Sequence, residues 1–180
     1  MIYTFNLATP DNADEKAKPI LTQLQGKFGM LPNFFGALGI DGVSLEAFMA
    51  LQSKLEQSKF SKRDQEMLAL AVANYNGCHY CVSAHTFSAK RMAGMNEEEC
   101  REAQHGRAKD SREQVIIDIA LAVLKNHGKL DQALLARAKA EGFTEADIVQ
   151  LTLLTALNSF TNWLNNVVDP KIDFPEVPLV

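Results

Sequence analysis

The stretch from Ile148 to Val168 carries no Asp, Glu, Lys or Arg, and this run restricts the fold more than any other part of the sequence. Thr144 and Asp147 just ahead of it form a helix-starting pattern, so Thr144 to about Val167 reads as one long helix. A helix that is apolar nearly all round belongs in a deep interior. The chain has 180 residues, 47% of them apolar and 22% charged, which suits an ordinary globular protein with a normal core. In a domain of this size, one way to bury such a helix is against a second subunit. Phe160 and Trp163 are then expected in the core or at that interface.

The rest of the chain also reads as helix. Gly, Pro and β-branched clusters are sparse after residue 43. Residues 44–57 start at Ser44 as the candidate N-cap and place Leu45, Phe48, Met49 and Leu55 on one side. Ser61 and Asp64 resemble a capping box and open a helix that runs to Tyr75. Asn76-Gly77 stops it, with Gly suited to a left-handed C-terminal residue. A further helix is expected from about Cys78 to Met92 or Ala93, closed by Gly94, and Asn96 with Glu97, Glu98 and Glu99 starts another. Asp110 to His127 is expected to bury Val115, Ile116, Ile119, Leu121, Ala122 and Leu124, and Leu130 to Glu141 is a further helix. Residues 1–12 and 169–180 look extended, and the N-terminal third is less regular around Gly29 to Gly36. No repeat, low-complexity tract or linker divides the chain. The expectation is a single all-α domain spanning residues 1–180.

Charge and composition exclude several functions. A net charge of -4 gives no broad basic surface for nucleic acid. No stretch approaches the ~18 uninterrupted apolar residues of a membrane span. Met1 to Asn6 lacks the basic and apolar regions of a secretory signal, so a cytoplasmic protein is expected. Three cysteines are too few for a disulfide scaffold, and a CxxC in the cytosol points to redox or metal chemistry.

Cys78-His79-Tyr80-Cys81, followed by His85 and preceded by Glu66, is the constellation that carries chemistry. With Cys78 at the start of its helix, Cys81 lies one turn in and His85 two turns in, all on one face. The partial positive charge of the helix N-terminus favours thiolate. Glu66 lies on the preceding helix. If the two helices fold back as a hairpin, a rise of ~1.5 Å per residue puts Glu66 about 16 Å and His85 about 12 Å from the turn. Their side chains can then meet across the hairpin, giving a chain of groups Glu66, His85, Cys81, Cys78. His79 turns away from the thiols and is expected at the surface. Tyr80 packs over the site, lines its entrance or joins the core. Cys100 follows three glutamates, which disfavours thiolate, so it is expected to be a bystander. His105 and His127 are expected in solvent.

Thiol peroxidation needs this set of groups. A thiolate takes oxygen from a hydroperoxide to give a sulfenic acid, and a second thiol condenses with it to a disulfide. Lowering a thiol pKa from ~8.5 to ~6.5 raises the thiolate fraction at neutral pH about 25-fold. Weaker nucleophilicity leaves roughly threefold of that. Proton delivery to the departing alkoxide is the larger contribution, with general acid–base catalysis worth ~10²–10⁴. His85 suits that task, oriented by Glu66. The alternatives are a thiol–disulfide oxidoreductase or redox sensor, and zinc bound through Cys78, Cys81 and His85, with or without Glu66. A regular helix spreads those three ligands too far for a good tetrahedron.

Glu66-x11-Cys78-x-x-Cys81-x3-His85 resembles the signature of the AhpD-like alkylhydroperoxidases, within the carboxymuconolactone decarboxylase superfamily. Leu31 to Phe35 and Leu45 to Phe48 resemble the family's N-terminal helical segment. Asn162 to Val167 and Asp173 to Pro175 resemble the tail of its peroxidase-related members. The resemblance implies an AhpD-like helical bundle with a central antiparallel hairpin carrying the CxxC, assembled as a homo-oligomer, commonly a trimer or hexamer. It implies cofactor-free and metal-free reduction of a small-molecule hydroperoxide, with a thiol reductant as electron donor. In the matching positions Cys81 is the peroxidatic thiol, Cys78 resolves it, and Glu66 and His85 form the proton relay. AhpD has histidine immediately before its second cysteine, whereas this chain has Tyr80 there and His79 one place earlier. Lactone decarboxylation, which the superfamily name suggests, has no use for the cysteine pair.

Overall fold

The computed structural model describes residues 4–180, which form nine α-helices and no strand among the described residues. In chain order these are α1 (Ala17–Phe28), α2 (Asn33–Leu38), α3 (Gly42–Leu55), α4 (Lys62–Tyr75), α5 (His79–Met92), α6 (Glu97–Gln104), α7 (Ser111–Lys125), α8 (Gln132–Ala140) and α9 (Glu145–Val168). The all-α class expected from the sequence is the class the chain adopts. The contacts group into two compact units, one reaching Ser58 and taking in Leu164–Asp173, the other comprising Lys59–Trp163 and Phe174–Val180.

The first unit holds the N-terminal helices, and it is more regular than the sequence suggested. Gly29 to Gly36 lies between and within two helices, α1 and α2. The start signal of α1 sits upstream of the helix: Asp14 accepts the backbone N–H groups of Lys16 and Ala17 at 2.9 and 2.8 Å. Pro19 falls in the first turn, where its missing N–H does no harm. The other oxygen of Asp14 accepts Gly42 N–H at 2.9 Å, fastening the start of α3. The N-cap of α3 is Asp41, and Ser44 is the residue whose backbone N–H it receives at 2.9 Å. The expected cap at Ser44 is thus displaced by three residues, because an aspartate stood at the better position. Of the extended end expected over residues 1–12, residues 1–3 lie outside the described residues, and residues 4–9 form no helix.

The second unit is built around α4, which packs against α5, α6 and α7. Met67, Leu70 and Ala71 of α4 meet Ala89, Met95, Cys100, Ala103 and Ile117 in one buried cluster. The capping box of Ser61 and Asp64 is present at its start. Arg63 joins α4 to α6 through Glu99 at 2.8 Å and to α7 through Glu113 at 2.6 Å. On α7 the expected Val115, Ile116 and Ile119 are buried, together with Ile117 and Ala120. Leu121, Ala122 and Leu124 are only half-buried.

Helix α9 buries one side, including Leu151 and Leu154, within the chain. Of the run expected to be buried in the domain or against a second subunit, Val149, Leu153, Phe160 and Trp163 are 70%, 42%, 39% and 56% exposed. Trp163 and Phe160 are therefore outside the core of the chain. Thr155, Ser159 and Asn162 are among the buried residues instead. Burial of hydroxyls is tolerable because each bonds its own helix: Thr155 donates to the Leu151 carbonyl and Ser159 to the Thr155 carbonyl, both at 2.8 Å. Asn162 accepts from the Asn76 amide at 3.0 Å, at the end of α4.

The turn between α4 and α5 sets up the site. Gly77 is left-handed, with φ of 65°. Its N–H bonds the Asn74 carbonyl at 3.1 Å and Cys78 N–H bonds the Ala73 carbonyl at 2.9 Å, the two bonds of a Schellman ending. Nothing lies within 4 Å of where a Cβ would sit at Gly77, so a side chain there meets backbone strain and no clash. Gly77→Ala is expected to destabilise the protein by about 1 kcal/mol, and Gly77→Asn by less, since asparagine tolerates this conformation. Urea midpoints of the three proteins at unchanged m-value check this.

Candidate active site

Cys78 is the N-cap of α5, and its sulfur accepts the backbone N–H of Cys81 at 3.2 Å. The first turn of the helix brings the two cysteines together, with Cα atoms 5.2 Å apart and a disulfide between them. Cys78 is 0% and Cys81 3% exposed, so the bridge lies beneath the protein surface. Tyr80 is buried and stands edge-on to Phe174, ring centroids 5.8 Å apart. The tail beyond Phe174 runs over α5, where Val177 N–H donates to Ser83 Oγ at 3.0 Å. Asn74 and Val180 exchange two bonds at 2.9 and 3.0 Å.

The carboxylate and the imidazole meet across the hairpin. Glu66 Oε2 lies 2.8 Å from His85 Nδ1. Glu66 is 2% exposed, and a carboxylate so deep in protein must be paired. Among the described residues three groups pair it. His85 holds Oε2, whereas Oε1 receives the Ser88 hydroxyl at 2.6 Å and the Lys62 ammonium at 2.7 Å. Burial pushes the Glu66 carboxyl up, but the charge and hydrogen bond of His85 and then those of Lys62 bring it down to about 2. An ionised carboxylate only accepts hydrogen bonds, so Nδ1 is the protonated nitrogen of His85 and Nε2 is left for proton exchange. The imidazole side chain is 27% exposed, so it reaches solvent where the carboxylate does not.

Sequence reasoning missed Lys62 and Ser88. Both carry a readable signal: Lys62 precedes Glu66 by four residues, and Ser88 follows His85 by three, so each shares a helix face with its neighbour. The remaining histidines lie at the surface, where the sequence placed them. His79, His105 and His127 are exposed. Cys100 is buried and free, its thiol pushed up to about 11, with burial as the main cause and Glu99 and Glu66 adding to it. Burial thus outweighs the neighbouring glutamates that the sequence pointed to. Among the described residues no group of three His, Cys, Asp or Glu is arranged to hold a metal ion, and no helix is long and apolar enough to cross a membrane.

Glu66 makes stability depend on pH. Its carboxyl ionises near 4.5 when unperturbed and near 2 in the folded chain, so between these values the unfolded chain binds the extra proton and folding strengthens as pH rises. The contribution, on the order of 3 kcal/mol, is complete above about pH 4.5 and is lost as pH falls toward 2. Glu66→Gln is expected to flatten that part of the unfolding free-energy profile. Denaturant titrations of both proteins across pH 2 to 5 measure it, and parallel profiles would remove Glu66 as the source.

The chain resembles known proteins in sequence profile and in fold. Residues 44–111 match the carboxymuconolactone decarboxylase family. A peroxidase-related protein from Silicibacter sp. TM1040 superposes with a TM-score of 0.81 at 24% identity, covering 95% of this chain and 93% of its own. An alkylhydroperoxidase AhpD core, a peroxidase-related protein from Ralstonia eutropha JMP134, gives a TM-score of 0.83 at 22% identity, covering 94% and 91%. The debrominase Bmp8, as a cysteine-to-alanine variant in complex with 2,3,4-tribromopyrrole, gives 0.76 at 18% identity, covering 96% and 93%. Identities this low carry the fold and no substrate. No curated protein matches the chain. The chain has the AhpD-like all-helical fold, and its residues 44–111 are similar to the carboxymuconolactone decarboxylase family.

Proposed function

We propose that this protein is a cysteine-based peroxidase that reduces alkyl hydroperoxides through a Cys78–Cys81 dithiol/disulfide cycle, with Glu66 and His85 as its proton relay. The observation that carries this reading is the buried Glu66 carboxylate on His85 Nδ1 at 2.8 Å, one helical turn beyond a disulfide-bonded CxxC. In the reduced protein, Cys81 passes its proton to His85 Nε2. The thiolate attacks the distal oxygen of ROOH, the O–O bond breaks, and the imidazolium returns its proton to the alkoxide, giving Cys81–SOH and ROH. The Cys78 thiol then attacks the sulfenic sulfur, forming the disulfide and releasing water. An external thiol reductant supplies the two electrons that restore both thiols. The two sulfurs, the imidazole and the carboxylate complete this chemistry without a cofactor.

Two further observations support the reading. Both sulfurs are almost wholly covered, which suits a small hydroperoxide better than a disulfide on another protein. The row of Val149, Leu153, Phe160 and Trp163 left exposed on α9 supports self-association, in keeping with a homo-oligomer, trimer or hexamer, in the cytoplasm.

Reduced protein given one equivalent of tert-butyl hydroperoxide is expected to lose two mass units as Cys78 and Cys81 join, in intact mass analysis. Cys78→Ser is expected to trap an oxidised Cys81, and His85→Ala to slow disulfide formation by roughly 10²-fold while keeping the helical fold. A parent protein that oxidises no faster than its Cys81→Ser variant, yet exchanges readily with small disulfides, would favour a thiol–disulfide oxidoreductase instead.

A further inference from the structure

We propose that Ser88 is a positioning residue for the His85–Glu66 pair, holding one oxygen of the carboxylate so that the other is reserved for His85 Nδ1. For its kinetic consequence this rests on the peroxidase reading; for its structural content it does not.

The two oxygens of Glu66 are used unequally. Among the described residues Oε2 meets His85 alone, at 2.8 Å. Oε1 takes both Ser88 Oγ at 2.6 Å and Lys62 Nζ at 2.7 Å. These two donors differ in what they can do. Lys62 ends a long flexible stem on α4, with a side chain 45% exposed, so water and salt compete for it. Its charge also draws on the negative charge that an imidazolium at His85 would use. Ser88 has one short rotor and lies on α5 three residues past His85, so the same helix sets both positions at once. It is a neutral donor, which fixes the carboxylate and leaves its charge in place for the imidazole. The Ser88 hydroxyl has a second acceptor, Met92 Sδ at 3.7 Å. A thioether is a weak acceptor, so the single hydroxyl proton goes to the carboxylate.

Without the Ser88 hydroxyl, a buried lone pair on Oε1 loses its nearest donor. The carboxylate then rotates toward Lys62, and the Nδ1–H···Oε2 bond that selects the tautomer of His85 loosens. In metal sites, partners that orient a ligating histidine cost about 10–100-fold when removed, and the lower end of that range is expected here. The sequence offers the hydroxyl no other evident task, since its remaining neighbour is an exposed methionine.

The test reads the tautomer and the rate separately. Side-chain ¹⁵N spectra of the oxidised protein, with His85 neutral, are expected to show a protonated Nδ1 and a bare Nε2 in the parent. Ser88→Ala is expected to move both shifts toward an average of tautomers, and Ser88→Thr, which keeps a hydroxyl, to restore them. Disulfide formation with tert-butyl hydroperoxide is expected to slow roughly tenfold in Ser88→Ala and to recover in Ser88→Thr. A Ser88→Ala protein with the parent's tautomer pattern overturns the proposal, whether or not its rate falls, because a slower rate alone reports general loosening. If the parent is inert toward the hydroperoxide while the tautomer shift appears, the peroxidase reading fails and the positioning role of Ser88 stands.

Discussion

One buried negative charge organises the second unit of this molecule. Glu66 sits 2% exposed in the interior, where an unpaired carboxylate would either take up a proton or destabilise the fold by several kcal/mol. It does neither, because Lys62, Ser88 and His85 converge on its two oxygens. Two of these partners come from α5 and one from α4 itself. The pairing therefore exists only when the hairpin is closed in one register. A slip of α5 by a residue along α4 would carry His85 and Ser88 off the carboxylate and leave the charge bare.

That register is set by ordinary features placed around the pair. Gly77 ends α4 in a left-handed turn, and Cys78 begins α5 as its N-cap through a sulfur. The same residue is thus a helix cap and half of the redox pair, which ties the chemistry to the start of the helix. Around α4, the apolar cluster with α5, α6 and α7 and the Arg63 links to Glu99 and Glu113 hold the helix in place. The buried polar face of α9 reaches the same turn, where Asn162 receives the Asn76 amide. The carboxylate, the turn and the disulfide are consequently positioned by one continuous set of contacts within the unit.

Much of this was legible in the sequence. Start and stop residues located α4 through α8 closely, because Ser61, Asp64, Asn96 and Asp110 act locally and are read from a few neighbouring positions. The meeting of Glu66 and His85 followed from helix rise alone. What the sequence obscured depended on longer relationships. The cap of α1 is supplied by Asp14, outside the helix, so no start signal stood where the helix begins. The division of α9 into two faces was not legible, because Thr155 and Ser159 satisfy their hydroxyls within the helix and so join Leu151 and Leu154 in the interior. Lys62 and Ser88 were passed over because each looks like a surface residue until the buried carboxylate gives it a partner.

The claim on which the functional account stands is that Glu66 acts through His85 and not independently. A double-mutant cycle tests it most directly. The rate of disulfide formation with a hydroperoxide is measured for the parent, Glu66→Gln, His85→Ala and the protein carrying both changes. If the carboxylate works by holding the imidazole, the double variant is no slower than His85→Ala alone, since nothing remains for the carboxylate to orient. Rate losses that multiply across the two sites would mean that the two groups act separately, and would contradict the relay.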